Sequence, residues 1–215
     1  MKLTIVYDNN VLKKEMGLES DWGFSCLIQT QNKNILFDTG TKGRILLNNM
    51  KKLDIDPKNI DIIVLSHEHH DHIGGLKSLI PYLSNIELYK IGKNSNNGKI
   101  KSIIPEKPEK ISDNVWTTGR LKGTIGEQSL VLHGIKGWYV LTGCSHPGVG
   151  KIIQKAKEIG KVVGIIGGFH GFKNLEILED LDFICPCHCT KIKEEFIDKY
   201  PEKAFKCGVG KVIEI

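Results

Sequence analysis

The segment Ser66-His67-Glu68-His69-His70-Asp71-His72 contains the pattern H-x-H-x-D-H, four ligand-capable side chains within six positions. Imidazole and carboxylate groups at this density point to metal binding. His67 and His69, two residues apart on an extended turn, can point to one side and share an ion. Asp71 and His72, at the start of the next element, can reach a second ion beside the first. A buried cluster of imidazoles without metal would leave polar nitrogens unsatisfied, which is costly. The chemistry such a cluster supports is acidification of water and stabilisation of charge on an attacked oxygen. His70 occupies an x position and is read as a non-ligand, and His133, in an alternating strand, as a core or surface residue.

Other apolar runs end in the same way, with a short turn and a polar residue: Asp38-Thr39-Gly40, Gly143-Cys144-Ser145-His146, Gly167-Gly168-Phe169-His170 and Pro186-Cys187-His188. Ligands of open α/β sheets gather at the carboxyl edge of the strands, so residues more than a hundred positions apart can converge there. His146 and His188 are read as further metal ligands and His170 as a weaker candidate. Asp38 can fix the tautomer of a ligating histidine; its alternative role is a helix N-cap before Gly43. Cys185, Cys187 and Cys189 alternate, which on a strand puts all three on one side and His188 on the other. Their spacing is too tight for an iron–sulfur cluster, so they are read as buried thiols.

These side chains must be positioned by strands, and strand-like runs recur: Leu3 to Tyr7, Phe24 to Thr30, Asn34 to Phe37, Ile62 to Ser66, Ile86 to Ile91, Ser129 to His133, Trp138 to Thr142, Val162 to Ile166, Phe183 to Cys185 and Lys211 to Ile215. Gln31 to Lys33 and Gly134 to Gly137 read as hairpin loops. Helical periodicity marks Gly43 to Leu53, Gly75 to Leu83 with Pro81 disturbing it, Gly150 to Ile159 and Lys191 to Tyr200. Early hairpins followed by strand-helix alternation predict mixed sheets covered by helices. Asn94 to Ser112, rich in Asn, Lys and Pro, is expected to be a long mobile loop.

The 215 residues carry 30 Lys and Arg against 25 Asp and Glu, a net charge of +5 spread as scattered lysines. This favours a small anionic substrate and gives no basis for a nucleic-acid partner, because Lys93 to Lys110 lacks interleaved aromatics. No apolar run approaches the roughly 20 residues of a membrane helix, and Met1 to Asn10 reads as a strand, so a cytoplasmic protein of one domain, residues 1–215, is expected. Its oligomeric state is open.

The quoted motifs resemble those of the metallo-β-lactamase fold hydrolases: Asp38 in Ile-Leu-Phe-Asp-Thr-Gly, the H-x-H-x-D-H after an apolar strand, His146, and His188 after a late strand. Gly143-Cys144-Ser145-His146, Gly167-Gly168-Phe169-His170 and Pro186-Cys187-His188-Cys189-Thr190 look like the subgroup named for the synthase of 7,8-dihydropterin-6-methyl-4-(ribofuranosyl)aminobenzene 5′-phosphate. The resemblance implies an α/β fold, a four-layer αβ/βα sandwich, with two divalent metal ions: zinc first, with manganese or iron as alternatives. It implies one site of His67, His69 and His146 and a second of Asp71, His72 and His188. Two-metal members usually carry a bridging Asp between the last two histidines, whereas this chain has Gly167-Gly168-Phe169-His170; His170 either replaces the bridge or faces the substrate as a general acid.

The expectation that follows is a metal-dependent, phosphodiesterase-like hydrolase using metal-bound hydroxide on a small phosphorylated compound, with Asp71 orienting the nucleophile and Lys93 to Lys110 closing as a lid. One alternative is condensation of a dihydropterin diphosphate with a ribofuranosylaminobenzene phosphate. Another is a redox or metal-binding protein without hydrolysis. Trp22, Phe24, Trp116 and Phe169 are either a stacking surface for a flat heterocycle or core residues.

Overall fold

Short runs of Ile, Leu and Val separated by polar turns form the frame. The structure is a computed structural model that describes residues 1–93 and 98–215. The first unit, Met1–Pro105 with Gly208–Glu214, contains β1 (Lys2–Tyr7), β2 (Ser25–Gln29), β3 (Asn34–Phe37), α1 (Gly43–Lys52), β4 (Ile62–Val64), α2 (His70–Ile73), α3 (Leu76–Leu79), β5 (Ile86–Tyr89) and β6 (Ile100–Ile103). The second, Glu106–Cys207 with Ile215, contains β7 (Glu109–Ser112), β8 (Val115–Thr117), β9 (Leu130–His133), β10 (Trp138–Thr142), α4 (Val149–Lys157), β11 (Val162–Gly168), β12 (Phe183–Cys187) and α5 (Lys193–Lys199). The last strand, β13 (Val212–Glu214), returns to the first unit.

Among the described residues the first unit has a seven-stranded sheet in the order β13-β1-β2-β3-β4-β5-β6. It is antiparallel from β13 to β3 and parallel from β3 to β6. The second has a six-stranded sheet, β12-β11-β10-β9-β8-β7, parallel from β10 to β12 and antiparallel from β10 to β7. The predicted hairpins close β2 on β3 and β9 on β10. Helix spacing accounts for the covering layer. In α1 the buried positions Ile45, Leu46, Asn49 and Met50 line one face, and in α4 Val149, Ile152, Ile153 and Ala156 do so at i, i+3, i+4 and i+7. The first helix packs on β1 and α3, while α4 packs on β10 and β11 and α5 on β12. Each unit has its own apolar core.

Two expectations change. The stretch read as a mobile loop carries β6 and β7, paired with β5 and β8; residues 94–97 lie outside the described residues. Its Lys-rich composition reflects edge strands on which Lys101 and Lys110 face solvent. The stretch read as a lid, Lys93 to Lys110, therefore contains strand at residues 100–103 and 109–110. Phe24 and Phe169 are core residues, 0% and 1% exposed, and Trp116 packs against the second core, whereas Trp22 is 55% exposed. Among the described residues no helix is long and apolar enough to cross a membrane.

Candidate metal centre

In the first unit β3 and β4 are parallel, with Phe37 opposite Val64, so the residues after them emerge side by side. Asp38 leaves β3 with φ 57°, and its N–H donates to Val64 O at 2.8 Å. Its fully buried carboxylate collects three contacts. Oδ1 accepts the Ser66 N–H at 2.7 Å, and Oδ2 accepts the Ser66 hydroxyl at 2.8 Å and lies 2.7 Å from His72 Nδ1.

This network assigns the histidine tautomers. An ionised carboxylate only accepts, so His72 carries its proton on Nδ1 and presents a lone pair at Nε2. The Ser66 hydroxyl spends its one proton on Asp38. The His67 Nδ1 atom, 2.9 Å from Ser66 Oγ, is then a donor, and His67 Nε2 also presents a lone pair. That Nε2 lies 3.1 Å from His69 Nδ1. Zinc–nitrogen bonds of about 2.0–2.1 Å at tetrahedral angles set two ligand nitrogens roughly 3.3 Å apart, so the pair fits one ion. His72 Nε2 and Asp71 Oδ2 are 3.7 Å apart, and the exposed Trp22 indole donates its Nε1–H to the same Asp71 oxygen at 2.8 Å. The nitrogen and oxygen donors thus suit a divalent metal, and nothing in the set selects zinc over iron or manganese.

Asp38 is not the cap of α1, whose N-cap is Lys42. Asp38→Asn is expected to weaken metal binding about 10- to 100-fold, as loss of a histidine-orienting carboxylate commonly does. Asn tolerates the left-handed backbone, so the variant isolates the charge; titration calorimetry with zinc on chelator-treated protein measures it.

In the second unit the parallel strands β10, β11 and β12 end at a common edge, with Thr142 opposite Gly167 and Gly168 opposite Cys187. The turns there hold Ser145, His170 and His188 at φ 59°, 49° and 42°. Non-glycine residues in this region carry strain that concentrates at functional sites. Gly167, at φ 129°, could not be another residue, since a Cβ would stand 2.0 Å from Thr142 O. The turns are tied together: the Ser145 hydroxyl donates to Gly168 O at 2.7 Å, the Phe169 N–H to Thr190 Oγ1 at 2.9 Å and the Lys191 N–H to His170 O at 3.0 Å. His188 is buried, His146 half-buried and His170 exposed. The His146 and His170 rings meet edge to face with centroids 5.3 Å apart.

Two residues escaped the sequence reading. Cys144 Sγ lies within 4.8 Å of a ring nitrogen of His146 and of one of His188, which makes it a third potential ligand on this edge. Glu127, fully buried, accepts at Oε1 from the N–H groups of Gly143, Cys144 and Ser145 at 3.0, 3.0 and 3.1 Å and from the Thr142 hydroxyl at 3.1 Å. Its Oε2 accepts the His146 N–H at 2.8 Å. One carboxylate therefore shapes the whole turn that carries His146. Cys144 was visible as part of a motif, but no sequence signal separates Glu127 from an exposed acid.

His70 and His133 stay apart from these groups. His70 is exposed at the start of α2, and His133 stacks on Trp138 with ring centroids 4.6 Å apart.

Comparison with known proteins agrees with this geometry. The chain is 29% identical, over 91% of its length and 90% of the relative's, to the 7,8-dihydropterin-6-methyl-4-(β-D-ribofuranosyl)-aminobenzene-5′-phosphate synthase of Methanocaldococcus jannaschii. Among solved structures, a metal-dependent hydrolase of the β-lactamase superfamily superposes with a TM-score of 0.79 at 24% identity, covering 100% of this chain and 99% of that one. A diphosphatase of the PhnP family superposes at 0.67 with 14% identity, covering 100% and 97%. These structural likenesses establish the fold. The family model for the metallo-β-lactamase superfamily matches residues 23–153, which include the H-x-H-x-D-H segment and His146 and make up more than half of the 215 residues, so the chain belongs to the metallo-β-lactamase superfamily.

Proposed function

We propose that this protein is a metal-dependent hydrolase of a small phosphorylated or phosphodiester compound. The observation that carries the reading is the arrangement of His67 Nε2 and His69 Nδ1, 3.1 Å apart, beside a His72 whose tautomer Asp38 fixes. His67, His69 and His146 would hold one divalent ion, and Asp71, His72 and His188 a second. Such ions supply an acidified water and stabilise negative charge on the reacting oxygens. The protein's own groups do the rest. Asp38 and Ser66 keep the protons of His72 and His67 on Nδ1, Trp22 fixes the Asp71 carboxylate through its indole N–H, and Glu127 holds the turn of His146. His170, exposed beside His146, would deliver a proton to the leaving group if it faces the substrate rather than replacing the bridging ligand. The net charge of +5 favours an anionic substrate.

The second reading is transfer. The similarity to the Methanocaldococcus jannaschii synthase runs along nine-tenths of both chains and supports displacement of diphosphate from a dihydropterin by a ribofuranosylaminobenzene phosphate. One assay separates the two. Cleavage of bis(p-nitrophenyl) phosphate in water alone supports hydrolysis. Pyrophosphate released from a dihydropterin diphosphate only when the aminobenzene acceptor is present supports transfer and overturns the first reading.

His170→Ala tests the missing bridging carboxylate. If His170 faces the substrate, elemental analysis is expected to find the wild-type metal content in the variant, with turnover reduced about 10²- to 10⁴-fold for loss of a general acid. A fall from two ions to one would place His170 among the ligands instead.

A further inference from the structure

The second unit brings together a set of sulfur atoms that the candidate centre does not use. Cys185 and Cys187 lie on β12 and share one side of the strand. The expected third member, Cys189, is not in the group, because His188 at φ 42° breaks the alternation. Its place is taken by Cys207. Residues after α5 run beside β12, where Ile184 and Ala204 form a parallel bridge and the Phe205 N–H donates to Ile184 O at 2.9 Å. This brings the Sγ atoms of Cys185, Cys187 and Cys207 within 4.8 Å of one another. All three are buried, at 0%, 0% and 5% exposure.

The spacing discriminates between chemistries. The Cys185 and Cys187 sulfurs are 4.0 Å apart, about twice the roughly 2.05 Å of a disulfide. A metal with M–S bonds of about 2.3 Å in a trigonal set places its sulfurs roughly 4.0 Å apart. Burial also shields the thiols from oxidants, which removes the main requirement for a redox sensor. With no oxygen or imidazole ligand in the group, the donors select a soft cation.

We propose that Cys185, Cys187 and Cys207 form a second, all-sulfur metal site that takes one soft d10 cation as three thiolates. Binding exchanges three S–H protons, released to solvent, for one cation, with no change of oxidation state. A divalent ion leaves the site with one net negative charge. Burial, together with the neighbouring Cys185 and Cys187, pushes the Cys207 thiol well above its ordinary range; because each ligand must lose its proton on binding, affinity rises with pH. The ion would fasten the segment after α5 to β12, the strand that delivers His188 to the candidate centre.

The test is titration of the full chain with Cd(II) alone, following the near-ultraviolet thiolate-to-cadmium charge-transfer band and proton release in weak buffer. The unaltered protein is expected to develop a band that accounts for one ion per chain, with three protons released as that band develops; ions taken by the histidine centre add no thiolate band. Cys207→Ser is expected to remove at least a third of the band and to cut proton release to two. Cys189→Ser is expected to leave both unchanged. Absence of a band overturns the proposal, as does release of fewer than three protons in the unaltered chain. A band lost in Cys144→Ala but kept in Cys207→Ser also overturns it, because the sulfur ligand would then belong to the histidine centre. If Cys207→Ser does not fold, Cys185→Ser reads the same loss, and the proton count needs no variant.

Discussion

Replacing His67 and His69 together by Ala is expected to remove tightly bound metal and to lower turnover by at least about a thousandfold. The two rings supply nitrogens 3.1 Å apart, close to the spacing of two ligands on one ion. The chemistry a divalent ion supplies is worth several kcal/mol of transition-state stabilisation, and each 1.36 kcal/mol is about tenfold in rate. Elemental analysis and a phosphodiester assay on the same preparation measure both effects. His69 is exposed while His67 is fully buried, so His69→Ala alone is the control for folding. It should keep the thermal melt and still lose most of the metal. Full activity in the double variant would sink the metal mechanism.

Glu127→Gln should lower both stability and metal content although Glu127 is not itself a proposed ligand. A carboxylate accepts with both oxygens, and Glu127 receives five donors from residues 142–146. An amide accepts with one atom only. If its oxygen stands at Oε1, the NH₂ group faces the His146 N–H; if it flips, the NH₂ group faces four donors. Either way a buried donor loses its partner, at about 1–3 kcal/mol each. A loss of about 2–3 kcal/mol in a chain of this size lowers Tm by roughly 4–12 °C. The same change releases the turn that aims His146, so the variant is expected to bind fewer ions per chain after dialysis against zinc. An unchanged melt together with unchanged metal content would show that the turn holds its shape without the carboxylate.

These two variants divide along the line between local and long-range information. The closeness of His67 to His69 and of Asp71 to His72 was legible because their relations are local: two residues apart on an extended turn and adjacent on the next helix, they come together whatever the rest of the chain does. Most strands were legible for the same reason, since alternating or continuous apolar runs such as Leu3 to Tyr7 and Val162 to Ile166 record burial in composition. The strands β6 and β7 were not, because edge strands exposed to solvent read like loops.

The tertiary structure alone decided the partners that are distant in sequence. Asp38 could have capped α1; the parallel pairing of β3 with β4 places it against Ser66 and His72 instead. Cys189 continues the spacing of Cys185 and Cys187 in sequence, but a left-handed backbone at His188 turns the chain and Cys207 arrives from the next segment. Glu127 lies fifteen or more residues before every donor it binds. The amino-acid sequence by itself determined which side chains can do chemistry and where the chain is extended or helical, because those properties depend on neighbours a few residues away. Which carboxylate orients which histidine, and which sulfurs meet, depends on strand order and backbone torsions, and only packing fixes those.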